Sequence, residues 1–141
     1  MVALERQTPA AAHWPESFYL GLFERGAVDR VSLVAEQEGV LQGFLVARIS
    51  GEECELENIV VAEDSRRLGL GSKLIRALIT DVRYQKANRI FLEVRESNMT
   101  ARCFYETCGF SIAGRRKSYY RDPSEDAVLY TSAIPARYEL P

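Results

Sequence analysis

The chain has 141 residues, enough for one well-buried core and too few for two full domains. Hydrophobic residues make up 47% and charged residues 27%, ordinary globular usage that excludes disordered and fibrous classes. Lys+Arg at 18 against Asp+Glu at 20 leaves a net charge of -2, so the total charge attracts neither nucleic acid nor an anionic membrane, and no apolar run approaches the roughly 20 residues of a membrane span.

Met1-Val2-Ala3-Leu4-Glu5-Arg6 has neither the basic region nor the apolar stretch of a signal peptide, which points to the cytoplasm. Pro15 at a first helical turn, followed by Phe18, Tyr19, Leu22 and Phe23, predicts an amphipathic helix that ends at Gly26. Two strand-like runs follow, Val31 to Ala35 and Val40 to Ile49, joined through Glu38-Gly39; after Ser50-Gly51-Glu52 a third runs from Cys54 to Val61. The rhythm then turns helical from Ser72 to Ala87, with Leu74, Ile75, Leu78, Ile79 and Val82 on one side. Arg89 to Val94 alternates as a short strand, and Asn98 caps a helix from Met99 to Cys108 that Gly109 stops in the left-handed conformation. Phe110 to Tyr120 and Asp126 to Ile134, joined through Asp122-Pro123-Ser124, close the chain as two strands. The order predicts a mixed α/β sheet, an antiparallel meander feeding a strand–helix–strand unit with one parallel pair.

Cys54, Cys103 and Cys108 are an odd number, and without a secretory signal they read as buried or half-buried thiols rather than a disulfide framework. Neither their spacing nor the distant His13 suits a metal. Asn98-Met99-Thr100 matches a glycosylation sequon, which on a helix cap without a secretory signal is a chance match.

Chemistry concentrates in Arg66-Arg67-Leu68-Gly69-Leu70-Gly71-Ser72, between the third strand and the long helix. Glycines one residue apart at a helix N-terminus let the backbone approach a ligand. The first-turn N–H groups then point at it with the positive end of the helix dipole. With Arg66, Arg67, Lys73 and Arg76 around them, they describe a pyrophosphate cradle. A phosphate-binding P-loop would end Gly-Lys-Ser/Thr, whereas Gly71 is followed by Ser72-Lys73; a dinucleotide fingerprint would carry a third glycine where Leu74 stands. The plainer alternative is a glycine turn flanked by solvated arginines.

Arg66-x-x-Gly69-x-Gly71 after Ile59-Val60-Val61 resembles the acetyl-CoA signature of the GCN5-related N-acetyltransferases, the GNAT superfamily. Three later segments resemble its RimI-type members: Leu92-Glu93-Val94-Arg95-x-Ser97-Asn98, Phe104-Tyr105-Glu106-x-x-Gly109-Phe110, and Arg116-x-x-Tyr119-Tyr120-x-x-Pro123-x-Glu125-Asp126-Ala127. The resemblance runs from about Glu57 to Ile134. It implies an α/β GNAT fold across 1–141: a truncated helical region at 1–30 that lacks the family's first strand, the sheet and cradle at 31–94, and the second helix and terminal hairpin at 95–141. The central parallel pair would be splayed to admit acetyl-CoA, with helices on both faces. The implied activity is direct acetyl transfer to the N-terminal alanine of a ribosomal protein. No metal, nucleic acid or membrane is implied, and the enzyme would be a monomer or weak homodimer.

Residue by residue, the resemblance makes Ile59, Val60 and Val61 backbone partners of the pantetheine arm, and Arg66 to Ser72 the pyrophosphate site. Asn98 becomes a further cofactor contact, Glu93 the general base, Tyr105 the general acid, and Tyr119 and Tyr120 part of the acceptor wall. A peptide α-ammonium, with a pKa of about 8, must lose a proton before it can attack a thioester. Glu93 shares its strand face with Phe91, where partial desolvation would suit it to take that proton; alone it reads equally as a solvated carboxylate. Tyr105 has a phenol of pKa about 10, able to protonate a departing thiolate; most helical tyrosines are packing. Glu53, Glu55 and Glu57 share one strand face, either a wet surface or an acidic wall that attracts a cationic acceptor or supplies a second base through water, with Glu57, nearest the cofactor strand, its candidate; Asn58 should face the other way. Arg115, Arg116, Lys117 and Arg121 should split between two strand faces, which disfavours a nucleic-acid groove. Rival readings are another protein N-terminus, lysine or a small amine as acceptor, an acyl-CoA sensor without catalysis, and a nucleotide-binding module.

Overall fold

Glu38 and Gly39 both adopt left-handed backbone, at φ +52° and +77°, and this corner folds strand β1 (Arg30–Gln37) back on β2 (Val40–Ser50). Gly51, at φ +60°, makes the next corner into β3 (Glu53–Val61). The computed structural model describes residues 1–8, 11, 13–22 and 29–135, with the backbone alone at Tyr84. Two short helices, α1 (Val2–Arg6) and α2 (Glu16–Gly21), precede the meander. Helix α3 (Leu70–Tyr84), strand β4 (Arg89–Arg95), helix α4 (Met99–Thr107), and strands β5 (Ser111–Tyr120) and β6 (Glu125–Ala133) follow. The strands form one six-stranded sheet in the order β1-β2-β3-β4-β6-β5.

Every neighbouring pair is antiparallel except β3 and β4, and that parallel pair is short. It joins only Glu53 to Arg89, Cys54 to Ile90 and Glu55 to Phe91. Beyond this point β3 stays bonded to β2 as far as Val61, and β4 to β6 as far as Arg95. The two halves of the sheet are therefore held from outside while their inner edges part. The resulting wedge is bordered by Glu57–Val61 and Glu93–Arg95.

Helices cover both faces, as expected. On one face α3 and α4 lie over Leu45, Ala47, Cys54, Leu56, Ile90, Leu92, Val128 and Tyr130. Leu74, Ile75, Leu78 and Val82 carry α3 into that core; burying each contributes roughly 1.5–3 kcal/mol. On the other face α1 and α2 close a smaller cluster of Tyr19, Phe44, Val46 and Val60, and among the described residues no helix covers the β4-β6-β5 side.

A bulge accounts for one departure from the sequence pattern. Val46 pairs with Asn58 but Ala47 pairs with Leu56, so Glu57 is an extra residue in β3. Side-chain parity resets there. Cys54 and Leu56 enter the larger core, whereas Asn58 turns to the α1/α2 side and bonds Glu5 and Tyr19. The expectation that Asn58 faces away from the glutamate row is thereby corrected.

Other differences are local. Pro15 is the N-cap of α2 rather than a residue within its first turn, and the expected end of that helix, with Phe23 and Gly26, lies outside the described residues. Helix α3 begins two residues early, at Leu70, because Gly69 takes the N-cap at φ +78°. Cys103 is exposed, while Cys54 is buried and Cys108 half-buried, so the expectation of burial fails for Cys103. Asn98 caps α4 as expected, accepting from the Ala101 N–H at 3.2 Å, and Gly109 is left-handed at φ +92°. Among the described residues no strand precedes β1, and no helix is long and apolar enough to cross a membrane.

Candidate active site

The expected cradle lies where β3 hands over to α3. Gly69 caps the helix without any side-chain acceptor, and the first bond of the helix runs from Lys73 N–H to Gly69 C=O. The N–H groups of Leu70, Gly71 and Ser72 are thus the helix's orphan donors, suited to an anion. Arg66 Nε donates to the Val61 carbonyl at 3.2 Å, tying the loop to the wedge edge. Arg67 is exposed, with backbone at φ +61°. Leu68 is 73% exposed at the same turn.

Close packing sets two glycines here. A Cβ on Gly71 would sit 3.0 and 3.1 Å from ring carbons of Phe104, so α4 presses on the first turn of α3. A Cβ on Gly43 would sit 2.9 Å from the Val60 carbonyl and 3.4 Å from Leu70. Gly43 therefore lets β2, β3 and α3 converge behind the cradle. The sequence reading overlooked it, although a lone glycine in an apolar strand signals close approach. A free strand edge at Ile59–Val61 leading to orphan N–H groups and arginines fits a long chain with a phosphate-rich end, the chemistry of acetyl-CoA. Asn98 uses its side-chain oxygen as the α4 cap, which leaves the amide nitrogen as its ligand donor.

Tyr105 and Glu93 arrive from opposite faces of the sheet. Tyr105 projects from α4 into the larger core against Phe104, Phe110 and Tyr130, and is 9% exposed. Burial, then Cys108 and Tyr120, hold its phenol well above the usual tyrosine range, so it keeps its proton at any physiological pH. Glu93 projects from β4 to the open face. Its Oε1 lies 2.9 Å from Arg116 Nε, and the neighbouring carboxylate holds the Tyr119 phenol above the usual tyrosine range. A second irregularity makes this possible: between Arg116 and Tyr120 strand β5 slips register, Ser118 turns to φ +51° and its N–H bonds Asp126 at 2.8 Å. Tyr119 can then reach across β6.

Tyr120 links the two sides. Burial, the Glu93 carboxylate and Tyr119 push its phenol up to about 12 against the pull of Arg95, whose guanidinium lies 4.4 Å from the ring centre. The Tyr105 phenol in turn senses Tyr120. No hydrogen bond joins Glu93 to Tyr105 among the described residues.

These protonations have a consequence for stability. Tyr120 and Cys54, the thiol also pushed up to about 12 by burial and then by Glu57, Glu55 and Asp81, are neutral when protonated. The fold opposes their ionisation, so their contribution is full below the unfolded values of about 8.5 for Cys and 10 for Tyr and is lost as pH rises toward 12. Melting temperature should stay level from pH 7 to about 8.5 and fall above it, with a shallower fall in Tyr120→Phe. Thermal melts across this range check both; an equal fall in the variant would exclude Tyr120 as a contributor.

The glutamate row is largely engaged. Arg30 Nε holds Glu57 at 3.0 Å and its guanidinium lies 4.9 Å from the Phe18 ring centre; Arg48 pairs with Glu55 at 3.3 Å, and Arg89 pairs with Glu53. Arg48, Ser50, Glu53, Glu55 and Phe91 line an open depression of about 220 Å³. The basic stretch of β5 does divide, Arg115 pairing with Glu96 and Arg116 with Glu93. Sequence reasoning also missed Glu5. It is 1% exposed and accepts from Trp14 N–H at 3.1 Å and from Asn58 Nδ2 at 3.0 Å, while Asn58 Nδ2 also donates to the Tyr19 hydroxyl at 3.3 Å, so α1 and α2 are pinned to β3 one residue before Ile59. Among the described residues no group of three or more His, Cys, Asp or Glu is placed to hold a metal ion.

A wedge between parted strands, with an uncapped helix N-terminus at one end and the Glu93 carboxylate on its β4 border, has the form of a site for a long chain with a phosphate-rich end. The acetyltransferase (GNAT) family profile matches residues 2–110, and the chain belongs to that family of acetyltransferases. It is 37% identical over 100 residues to the [ribosomal protein bS18]-alanine N-acetyltransferase of Escherichia coli strain K12, covering 70% of this chain and 68% of that protein. The crystal structure of the ribosomal-protein-S18-alanine N-acetyltransferase from Escherichia coli superposes with a TM-score of 0.80 at 29% identity, over 99% of this chain and 90% of that one. A GNAT family acetyltransferase from Elizabethkingia anophelis, solved with acetyl-CoA bound, shares the fold at 19% identity and a TM-score of 0.72, over 85% and 84% of the two chains.

Proposed function

We propose that this protein moves an acetyl group from acetyl-CoA to the N-terminal α-amine of a protein, with alanine first and a ribosomal protein as acceptor. The observation that carries the reading is the wedge between β3 and β4, with the orphan N–H groups of α3 at one end and the Glu93 carboxylate on its β4 border, while the protonated Tyr105 phenol lies on the α4 side of the sheet. The similarity to enzymes whose names specify ribosomal-protein alanine supports the choice of acceptor.

In this reading the N–H groups of Leu70, Gly71 and Ser72, with Arg66 and Arg67, bind the pyrophosphate, while Leu68 flanks it. The backbone of Ile59, Val60 and Val61 bonds the pantetheine arm as an added strand would, and Asn98 contributes its amide. Bound acetyl-CoA supplies the activated thioester. Glu93 takes the proton that the acceptor ammonium must lose, directly or through water, and Tyr105 gives its proton to the departing sulfur. N–H groups near Val61 steady the negative charge that develops on the carbonyl oxygen. Glu57, Tyr119 and Tyr120 border the acceptor. The protein works in the cytoplasm as one domain, a monomer or weak homodimer, without metal, nucleic acid or membrane.

Tyr105→Phe removes one oxygen and keeps the ring that Phe110 and Tyr130 pack against. Turnover should fall at least about tenfold while the melting temperature moves little; a wild-type rate would assign the proton to another group. The acceptor is tested by mass spectrometry on N-terminal and lysine peptides incubated with acetyl-CoA. Modification only at the α-amine of alanine-led peptides supports the assignment. Preference for lysine or small amines refutes it, and binding of acetyl-CoA without transfer to any peptide favours a sensor.

A further inference from the structure

Of the six ion pairs recorded among the described residues, one is unusually lopsided. Arg116 has the most exposed of the six cationic side chains, at 55%, and Glu93 the most buried of the six carboxylates, at 13%. Other arginines on this face are anchored several ways. Arg95 is held by the carbonyls of Arg121 and Pro123, by Glu125 and by the Tyr120 ring; Arg30 by both Glu57 oxygens and Phe18. Among the described residues, beyond Glu93 Arg116 meets only the Tyr119 ring, at 5.5 Å. Glu93 by contrast cannot move away, since its strand is paired on both sides of it through Leu92–Tyr130 and Val94–Val128.

A fixed, sequestered carboxylate capped by a solvated, weakly tethered guanidinium has the form of a site holding an exchangeable counter-ion. The guanidinium is 55% exposed and keeps most of its hydration in the pair, so it leaves at little cost to its own solvation. A carboxylate in such a place without a cation would bear a desolvation cost, so some cation must replace it. We propose that Arg116 occupies on Glu93 the place that the acceptor's α-ammonium takes, and that the two cations exchange there, Arg116 withdrawing along Tyr119 as the acceptor enters. The exchange keeps the charge on Glu93 balanced throughout. It also discriminates substrate from product, because an acetylated N-terminus is uncharged and yields Glu93 back to Arg116. This inference rests on the reading of Glu93 as the group that meets the acceptor amine. Arg116 is a positioning residue in this scheme, acting through Glu93.

The test is a binding cycle by calorimetry in the presence of coenzyme A, using an alanine-led hexapeptide with a free α-amine and the same peptide N-acetylated. Arg116→Gln should bind the free-amine peptide about two- to fivefold more tightly than the wild type, Arg116→Lys should resemble the wild type, and the acetylated peptide should show no change. In a Glu93→Gln background the gain from Arg116→Gln should vanish, since the shared carboxylate is gone. Equal or weaker binding of the free amine by Arg116→Gln overturns the proposal. So does a gain that persists with the acetylated peptide or without Glu93. Turnover of Glu93→Gln alone is read separately: an undiminished rate refutes Glu93 as the base, whatever the cycle gives.

Discussion

Glu93→Gln is expected to lower turnover at neutral pH by about two to four orders of magnitude while leaving acetyl-CoA affinity nearly unchanged. The substitution is almost isosteric. The Gln carbonyl can still face Arg116 as an acceptor, so the rim of β5 has no reason to move. What disappears is the ability to take a proton. An α-ammonium with a pKa of about 8 is mostly protonated at pH 7 and increasingly free above it, so the deficit should shrink as pH rises past about 9. Steady-state rates from pH 6.5 to 9.5 check this. A deficit that is absent at every pH removes Glu93 from the chemistry; one that does not narrow at high pH means that it acts by something other than proton removal.

Gly71→Val should weaken acetyl-CoA binding by about ten- to a hundredfold, and it acts twice at one position. Its Cβ would press on Phe104, at 3.0 and 3.1 Å from ring carbons, which costs about 1–3 kcal/mol of stability unless that ring withdraws. Its methyl groups would also enter the space in front of the orphan N–H groups of Leu70 and Ser72. Calorimetric titration with acetyl-CoA at a temperature where the variant is folded separates the two effects. Gly71→Ala, with only the Cβ contact, should fall between the wild type and the valine variant. Unchanged affinity in both would place the pyrophosphate elsewhere.

What the sequence made legible follows from local physics. Glu38-Gly39 and Gly51 mark the hairpin corners because left-handed backbone there needs little tertiary support, and Asn98 and Gly109 bracket α4 by capping rules that act within a few residues. The row of Leu74, Ile75, Leu78 and Val82 fixes which side of α3 is inside. The uncapped N-terminus of α3 could be located because its donors are successive backbone groups of one segment. The bulge at Glu57 could not, since one extra residue leaves the alternation of acidic and apolar residues looking regular while reversing what it means for Asn58. Glu5 was invisible for the opposite reason. Its helix has five residues and no periodicity, and its burial depends on Asn58 and Tyr19, far along the chain. Arg115 and Arg116 take different partners, but the partnership of Arg116 with Glu93 spans an intervening strand that no spacing rule reports.

The central claim is that the cosubstrate enters the wedge along β3 and α3 while the acceptor meets it from the open face. Backbone and side-chain NMR shifts of isotopically labelled protein test this most directly, with acetyl-CoA added first and an alanine-led peptide added afterwards in the presence of coenzyme A. Acetyl-CoA should move the amides of Ile59, Val61 and Gly69 to Ser72 most, and the peptide should then move Glu93, Arg116 and Tyr119. Acetyl-CoA shifts that bypass Ile59 to Ser72, or peptide shifts on the α3/α4 face, would contradict the account.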